Sequence, residues 1–144
     1  MVEQQLGCPI REYFEREGED RFRDVEEAVI DQVTKKQQAV LSTGGGVVLR
    51  PANRQHLRER CQVIYLSASP DGLFRRLRHD VKRPLLQVTD QQTRLRELYA
   101  VRHPLYRETA HFTIETGRPS VAALVGMIMT QLGLAGLLPL KFTT

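Results

Sequence analysis

Apolar residues recur at helical spacing in some stretches and form short unbroken runs in others, and the two patterns alternate along the chain. Ile10, Tyr13 and Phe14 predict a short helix over residues 7–17. A polar turn, Gly18-Glu19-Asp20-Arg21-Phe22-Arg23, follows. The stripe Val25, Ala28, Val29 and Val33 then predicts a helix over 24–36, with Asp24 as N-cap and Glu27 three residues on. Residues 39–42, Ala-Val-Leu-Ser, read as a first strand. Pro51 is placed to open a helix over 51–60. Residues 62–67 (Gln-Val-Ile-Tyr-Leu-Ser), rich in β-formers, predict a second strand. Ser69-Pro70-Asp71 caps a helix that faces Leu73, Phe74 and Leu77 inward. Asp90 caps a helix over 91–102, with Pro104 close behind it. A third strand is expected over 111–116, and Ser120 caps a last apolar helix reaching Gln131. Residues 78–90, which include a stretch with neither period, read as a lid segment between two helices.

Strands alternating with helices predict an α/β fold with a parallel sheet flanked by helices, because parallel strands need long crossovers. A chain of 144 residues fits a single domain, 1–144. Three strands are few for such a sheet, and the chain reads as starting inside a larger α/β unit.

Composition narrows the partners. The 21 basic residues comprise 17 Arg and 4 Lys, and Arg offers a rigid fork of donors suited to carboxylate and phosphate. Anionic small ligands and nucleic acid both fit that excess, but Trp is absent and aromatics are few, which disfavours a base-stacking single-strand binder. No nucleic-acid or membrane partner is expected, since no stretch approaches the roughly 20 apolar residues of a membrane span. The first residues lack a basic stretch followed by an apolar run, so a cytoplasmic location is the default. Cys8 and Cys61 have no metal-ligand spacing, and neither do His56, His79, His103 and His111; reduced thiols and no protein-held metal are expected.

The candidate chemistry centres on Gly44-Gly45-Gly46, directly after the predicted first strand. The carboxyl end of a strand is where open α/β sheets bind ligands. Glycine has no Cβ, so it tolerates positive φ and lets a ligand lie against main-chain N–H groups. A tight connecting loop is the plainer reading of the triplet.

Gly18-Glu19 with Phe22-Arg23 and Glu26, the glycine triplet after a strand, Arg83-Pro84-Leu85-Leu86 in the lid, and Arg102-X-Pro-Leu-Tyr106 together resemble the shikimate kinases in order and spacing. The resemblance implies a P-loop, nucleoside-monophosphate-kinase-like fold. It also implies transfer of the ATP γ-phosphoryl group to the 3-hydroxyl of shikimate, on the way to chorismate and the aromatic amino acids, with Mg²⁺ as cofactor and a monomeric enzyme.

By the same resemblance Arg23 and Arg102 grip the shikimate carboxylate, and Gly44, Gly45 and Gly46 contact the substrate through their backbone. Phe14 and Phe22 form an apolar wall, and Glu26 orients the site. Arg83 is the lid arginine that serves catalysis and the nucleotide phosphates; Arg76, Arg118 and Pro119 pack the adenine. Read without the family, Arg76 is an ordinary surface residue, and Phe14 and Phe22 fit a core equally well.

One family element has no counterpart. The phosphate-cradling motif G-x-x-x-x-G-K followed by Ser or Thr does not occur, and no lysine of the chain follows a glycine. The family's aspartate base also falls before the matched residues. In that family the first strand is central, between those corresponding to 39–42 and 62–67, so the sheet is expected to be incomplete, lacking its first two strands and the P-loop. The chain is thus expected to be the carboxyl-terminal portion of a shikimate kinase, with the main contacts to ATP and Mg²⁺ in the missing block and little activity as written. The alternative is a non-catalytic relative that keeps shikimate binding as a sensor or partner domain.

Overall fold

A computed structural model of the chain describes residues 1–78, 88–117 and 120–138. The chain divides into two compact units, Met1–Val63 and Ile64–Thr144.

The first unit is helical: α1 (Val2–Leu6), α2 (Ile10–Glu17), α3 (Glu19–Val33), a 3-10 turn (Gly45–Leu49) and α4 (Pro51–Arg60). Gly18 both ends α2, donating its N–H to Phe14, and opens α3, with φ 87° and ψ 171°. Only glycine adopts that conformation without strain. α3 therefore begins five residues before the predicted start, and Asp24 is not its N-cap. Acidic Glu19 and Asp20 occupy its first turn, where they complement the helix dipole.

Phe22, Val29, Ile30 and Val33 form the buried stripe of α3, and Val47, Val48 and Leu57 are buried with them. Each such side chain contributes about 1.5–3 kcal/mol on burial. Arginines at both ends of α4 pin it to α3. Arg50 Nη1 donates to Asp24 Oδ1 at 2.7 Å and to Glu27 Oε2 at 3.0 Å, and Arg60 Nη1 donates to Asp31 Oδ1 at 2.8 Å.

The predicted strand over 39–42 does not form: those residues run without a strand assignment, and Val40 is fully exposed. A strand is completed by a hydrogen-bonded neighbour, and α3 and α4 offer this apolar run no such edge.

The second unit is built on a two-stranded parallel sheet of β1 (Ile64–Ser67) and β2 (Phe112–Glu115) in the register Ile64 to Phe112 through Ser67 to Glu115. The strands connect through α5 (Pro70–Arg78) and α6 (Val88–Thr109), the helical crossover that parallel pairing requires. Thr116 extends the ladder, its N–H and hydroxyl donating to the Ser67 carbonyl at 2.8 and 2.9 Å.

Ser69 caps α5 as expected, its hydroxyl accepting from the Gly72 N–H at 3.1 Å. Ser120 caps α7 (Val121–Leu134) through the Ala123 N–H at 3.2 Å. α6 differs from expectation at both ends. It starts at Val88, so Asp90 lies inside its first turn, and it continues through Pro104 to Thr109. Proline removes one intrahelical bond; contacts from β1, described below, hold the helix across the break. Among the described residues no helix is long and apolar enough to cross a membrane.

Candidate functional site

Arg23 lies on α3 in the first unit, one residue after the buried Phe22. Its side chain is only 12% exposed, and Nη1 donates to Glu26 Oε1 at 2.8 Å. The two residues are three apart on one helix face, the spacing that lets such side chains meet. Nη2 makes a longer contact of 3.5 Å with the half-exposed Glu19. The guanidinium carbon lies 5.1 Å from the centroid of the Phe22 ring. Phe22 in turn tilts against Phe14 with centroids 5.7 Å apart. Phe22 is buried core, whereas Phe14 keeps 37% of its surface exposed, so the face available to a ligand is that of Phe14. Arg23 Nε is buried and has no hydrogen-bond partner among the described residues.

Gly46 lies against the Arg23 guanidinium: a Cβ built on it would overlap Cζ and both terminal nitrogens. The triplet forms the start of the 3-10 turn instead of the end of a strand, and none of its glycines has positive φ. Close approach, and not unusual backbone geometry, is what requires glycine at 46.

Two side chains of α4 hold this turn. Asn53, fully buried, donates from Nδ2 to the Val47 carbonyl at 3.0 Å. Arg54 Nη1 donates to the Val48 and Leu49 carbonyls at 2.8 and 3.3 Å. They satisfy carbonyls that the end of a helical turn leaves open. Neither residue was expected from the sequence. The signal was there in Asn53, four residues before the buried Leu57: a polar residue on an apolar stripe.

In the second unit, Arg102 is half-buried on α6. Beside it, Tyr65 Oη lies 2.9 Å from His103 Nδ1, and the Tyr65 ring lies 5.0 Å from that of Tyr106. Burial raises the Tyr65 phenol above its ordinary value. Arg76 donates from Nη2 to the Thr116 carbonyl, tying α5 to the end of β2. A groove of about 560 Å³ lies between β2 and α7, lined by Thr113, Glu115, Met127 and Thr130 among others; it contains none of the expected site residues. Arg83, Arg118 and Pro119 lie outside the described residues, as does the lid segment 78–90 apart from its ends in α5 and α6.

Among the described residues no three His, Cys, Asp or Glu side chains gather as metal ligands. The phosphate-cradling motif does not occur in the sequence, and among the described residues no cluster suited to holding Mg²⁺ is present.

A family model described as shikimate kinase matches residues 1–133. The shikimate kinase of Ralstonia nicotianae is 54% identical over 136 residues, which span 94% of this chain and 72% of that protein. The enzyme of Paracidovorax citrulli is 56% identical over 142 residues, 96% of this chain and 78% of that protein. Among solved structures, shikimate kinase from Acinetobacter baumannii in complex with shikimate superposes with a TM-score of 0.79 at 38% identity, covering 99% of this chain and 76% of that one. Shikimate kinase from Bacteroides thetaiotaomicron superposes with a TM-score of 0.82 at 23% identity, covering 94% of this chain and 80% of that one, a likeness of fold. The expected P-loop kinase-like α/β fold is therefore correct, and with sequence similarity running through both units the chain belongs to the shikimate kinase family.

Proposed function

We propose that this chain serves the phosphorylation of shikimate at its 3-hydroxyl and that its first unit holds the substrate carboxylate through Arg23. The observation that carries this reading is the unequal use of the guanidinium. Glu26 fixes Nη1, while the opposite edge, Nε with Nη2, has an unpartnered buried donor and one long contact. A buried donor without a partner costs about 1–3 kcal/mol, which an acceptor oxygen relieves. Nε and Nη2 lie side by side, so a carboxylate fits that edge with two parallel bonds.

Glu26 neutralises much of the Arg23 charge, so the anion calls for a second cation. Arg102 is assigned that part by the family resemblance. Gly44, Gly45 and Gly46 present backbone to the polyol, and the exposed face of Phe14 is the apolar wall, with Phe22 behind it. ATP with Mg²⁺ supplies the phosphoryl group when bound. Arg83 toward the phosphates, and Arg76, Arg118 and Pro119 toward the adenine, rest on the resemblance alone. Membership of a kinase family favours this reading over a non-catalytic sensor. The free thiols of Cys8 and Cys61 agree with action in the reducing cytoplasm.

Residues 1–144 as a polypeptide contain no phosphate-cradling loop. They are expected to bind shikimate without turning it over at ordinary kinase rates. Titration calorimetry with shikimate and with its uncharged methyl ester, paired with an ADP-release assay, tests both statements. Saturable binding of shikimate and much weaker binding of the ester support the carboxylate reading, and equal binding of the two contradicts it. Shikimate-dependent ADP release at ordinary rates contradicts the expected inactivity.

A further inference from the structure

We infer that Tyr65 and His103 are positioning residues for Arg102; the inference rests on the carboxylate-binding reading of Arg102. α6 continues through Pro104. A proline inside a helix has no N–H for the carbonyl four residues back, here that of Ala100, and its ring crowds that carbonyl. Arg102 therefore sits in the weakened turn, where the helix's own hydrogen bonds do least to fix a side chain.

Three contacts span that turn. The Tyr99 ring stacks on His103 with centroids 4.5 Å apart and planes 14° from parallel, joining residues 99 and 103 along the helix. Tyr65 Oη meets His103 Nδ1 at 2.9 Å. The Tyr65 ring also meets Tyr106 at 5.0 Å. One residue of β1 thus holds α6 on both sides of Pro104. Tyr65 is itself anchored, since β1 is laddered to β2 with Tyr65 opposite Thr113. When His103 is neutral with its proton on Nε2, Nδ1 accepts the hydrogen bond of the phenol, which links β1 directly to α6.

Pairing of a guanidinium with a carboxylate is directional, so loosening this turn costs affinity even though neither Tyr65 nor His103 needs to touch the ligand. The test uses the whole chain with Tyr65→Phe, which keeps the ring and removes the hydroxyl. His103→Phe, which keeps the stack on Tyr99 and removes Nδ1, is the second variant should the first not fold. Two quantities are read: amide hydrogen exchange at residues 100–106, and the Kd for shikimate by calorimetry, each also in an Arg102→Ala background. Loss of one hydrogen bond of about 1 kcal/mol corresponds to about fivefold in either quantity.

The expected result is exchange about fivefold faster at 100–106, and a Kd about fivefold weaker that becomes no weaker when Arg102 is already Ala. Unchanged exchange overturns the clamp. A Kd effect that persists undiminished without Arg102 overturns the positioning role, as does a lowered Tm with no change in Kd. If Arg102→Ala alone leaves the Kd unaltered, the reading of Arg102 fails, and the exchange data still decide the clamp.

Discussion

Gly46 and Arg23 are in such close contact that a single methyl group on the Gly46 α-carbon would fall on the Arg23 guanidinium. The group to be displaced is the far end of a flexible side chain, so Gly46→Ala costs little stability and moves the arginine. Losing one or two charge-assisted hydrogen bonds, at about 1.5–3 kcal/mol each, weakens shikimate binding by about tenfold or more. Thermal unfolding alongside calorimetry checks this: a nearly unchanged Tm with a raised Kd is expected, and a large fall in Tm with an unchanged Kd contradicts it.

Glu26 is 7% exposed and paired with an arginine side chain that is itself nearly buried. Removing one partner of a buried ion pair leaves the other charge uncompensated, at about 3–5 kcal/mol. Glu26→Gln keeps the shape and an acceptor oxygen, so the lower part of that range is expected in urea unfolding. A variant as stable as the parent would mean that the pair does not hold Arg23.

Asp31 gathers Arg60, Lys35 and His56 around one carboxylate, with Arg60 at 2.8 Å, Lys35 at 3.1 Å and His56 at 3.6 Å. The hydrogen bond from Arg60, and next that from Lys35, lowers its pKa from the ordinary 3.8 to about 2. A carboxylate with a depressed folded-state pKa stabilises above its unfolded value and loses that contribution as pH falls through the folded one. Parent stability therefore declines between about pH 4 and pH 2, and Asp31→Asn removes this part of the decline. Urea midpoints across that window distinguish the two; parallel curves would be inconsistent with the pairing.

Asn53→Ala takes away the side-chain donor to the Val47 carbonyl from a site with no solvent exposure. Losing a buried hydrogen bond of this kind costs about 0.5–1.5 kcal/mol. The 3-10 turn carrying Gly46 is held by that bond, so a weaker Kd for shikimate accompanies the lost stability. Stability lost with the Kd intact would place Asn53 outside the site's support.

What was legible in the sequence was local. Pro51, Ser69 and Ser120 mark helix starts through their own chemistry, and α4, α5 and α7 begin where those residues predict. The start of α3 escaped because Gly18 acts through its φ of 87° and not through a capping side chain. The strand at 39–42 was misread because strand formation depends on a neighbour, which an apolar run does not announce. Pro104 looked like a stop because the contacts that carry α6 past it come from Tyr65, nearly forty residues away in sequence. The site divides the same way: Arg23 and Glu26 share a helix face and could be paired on sight, whereas the approach of Gly46 to Arg23 and the support from Asn53 exist only once α3, the turn and α4 have packed.

Arg23→Lys tests the central claim most directly, because it keeps the positive charge and removes the planar fork that a carboxylate needs for two parallel bonds. Calorimetric titration of the parent and this variant with shikimate, without nucleotide, is the measurement. Saturable binding by the parent and a Kd weaker by about tenfold or more in the variant are predicted. Equal affinity in the two proteins would contradict the assignment of Arg23 to the shikimate carboxylate.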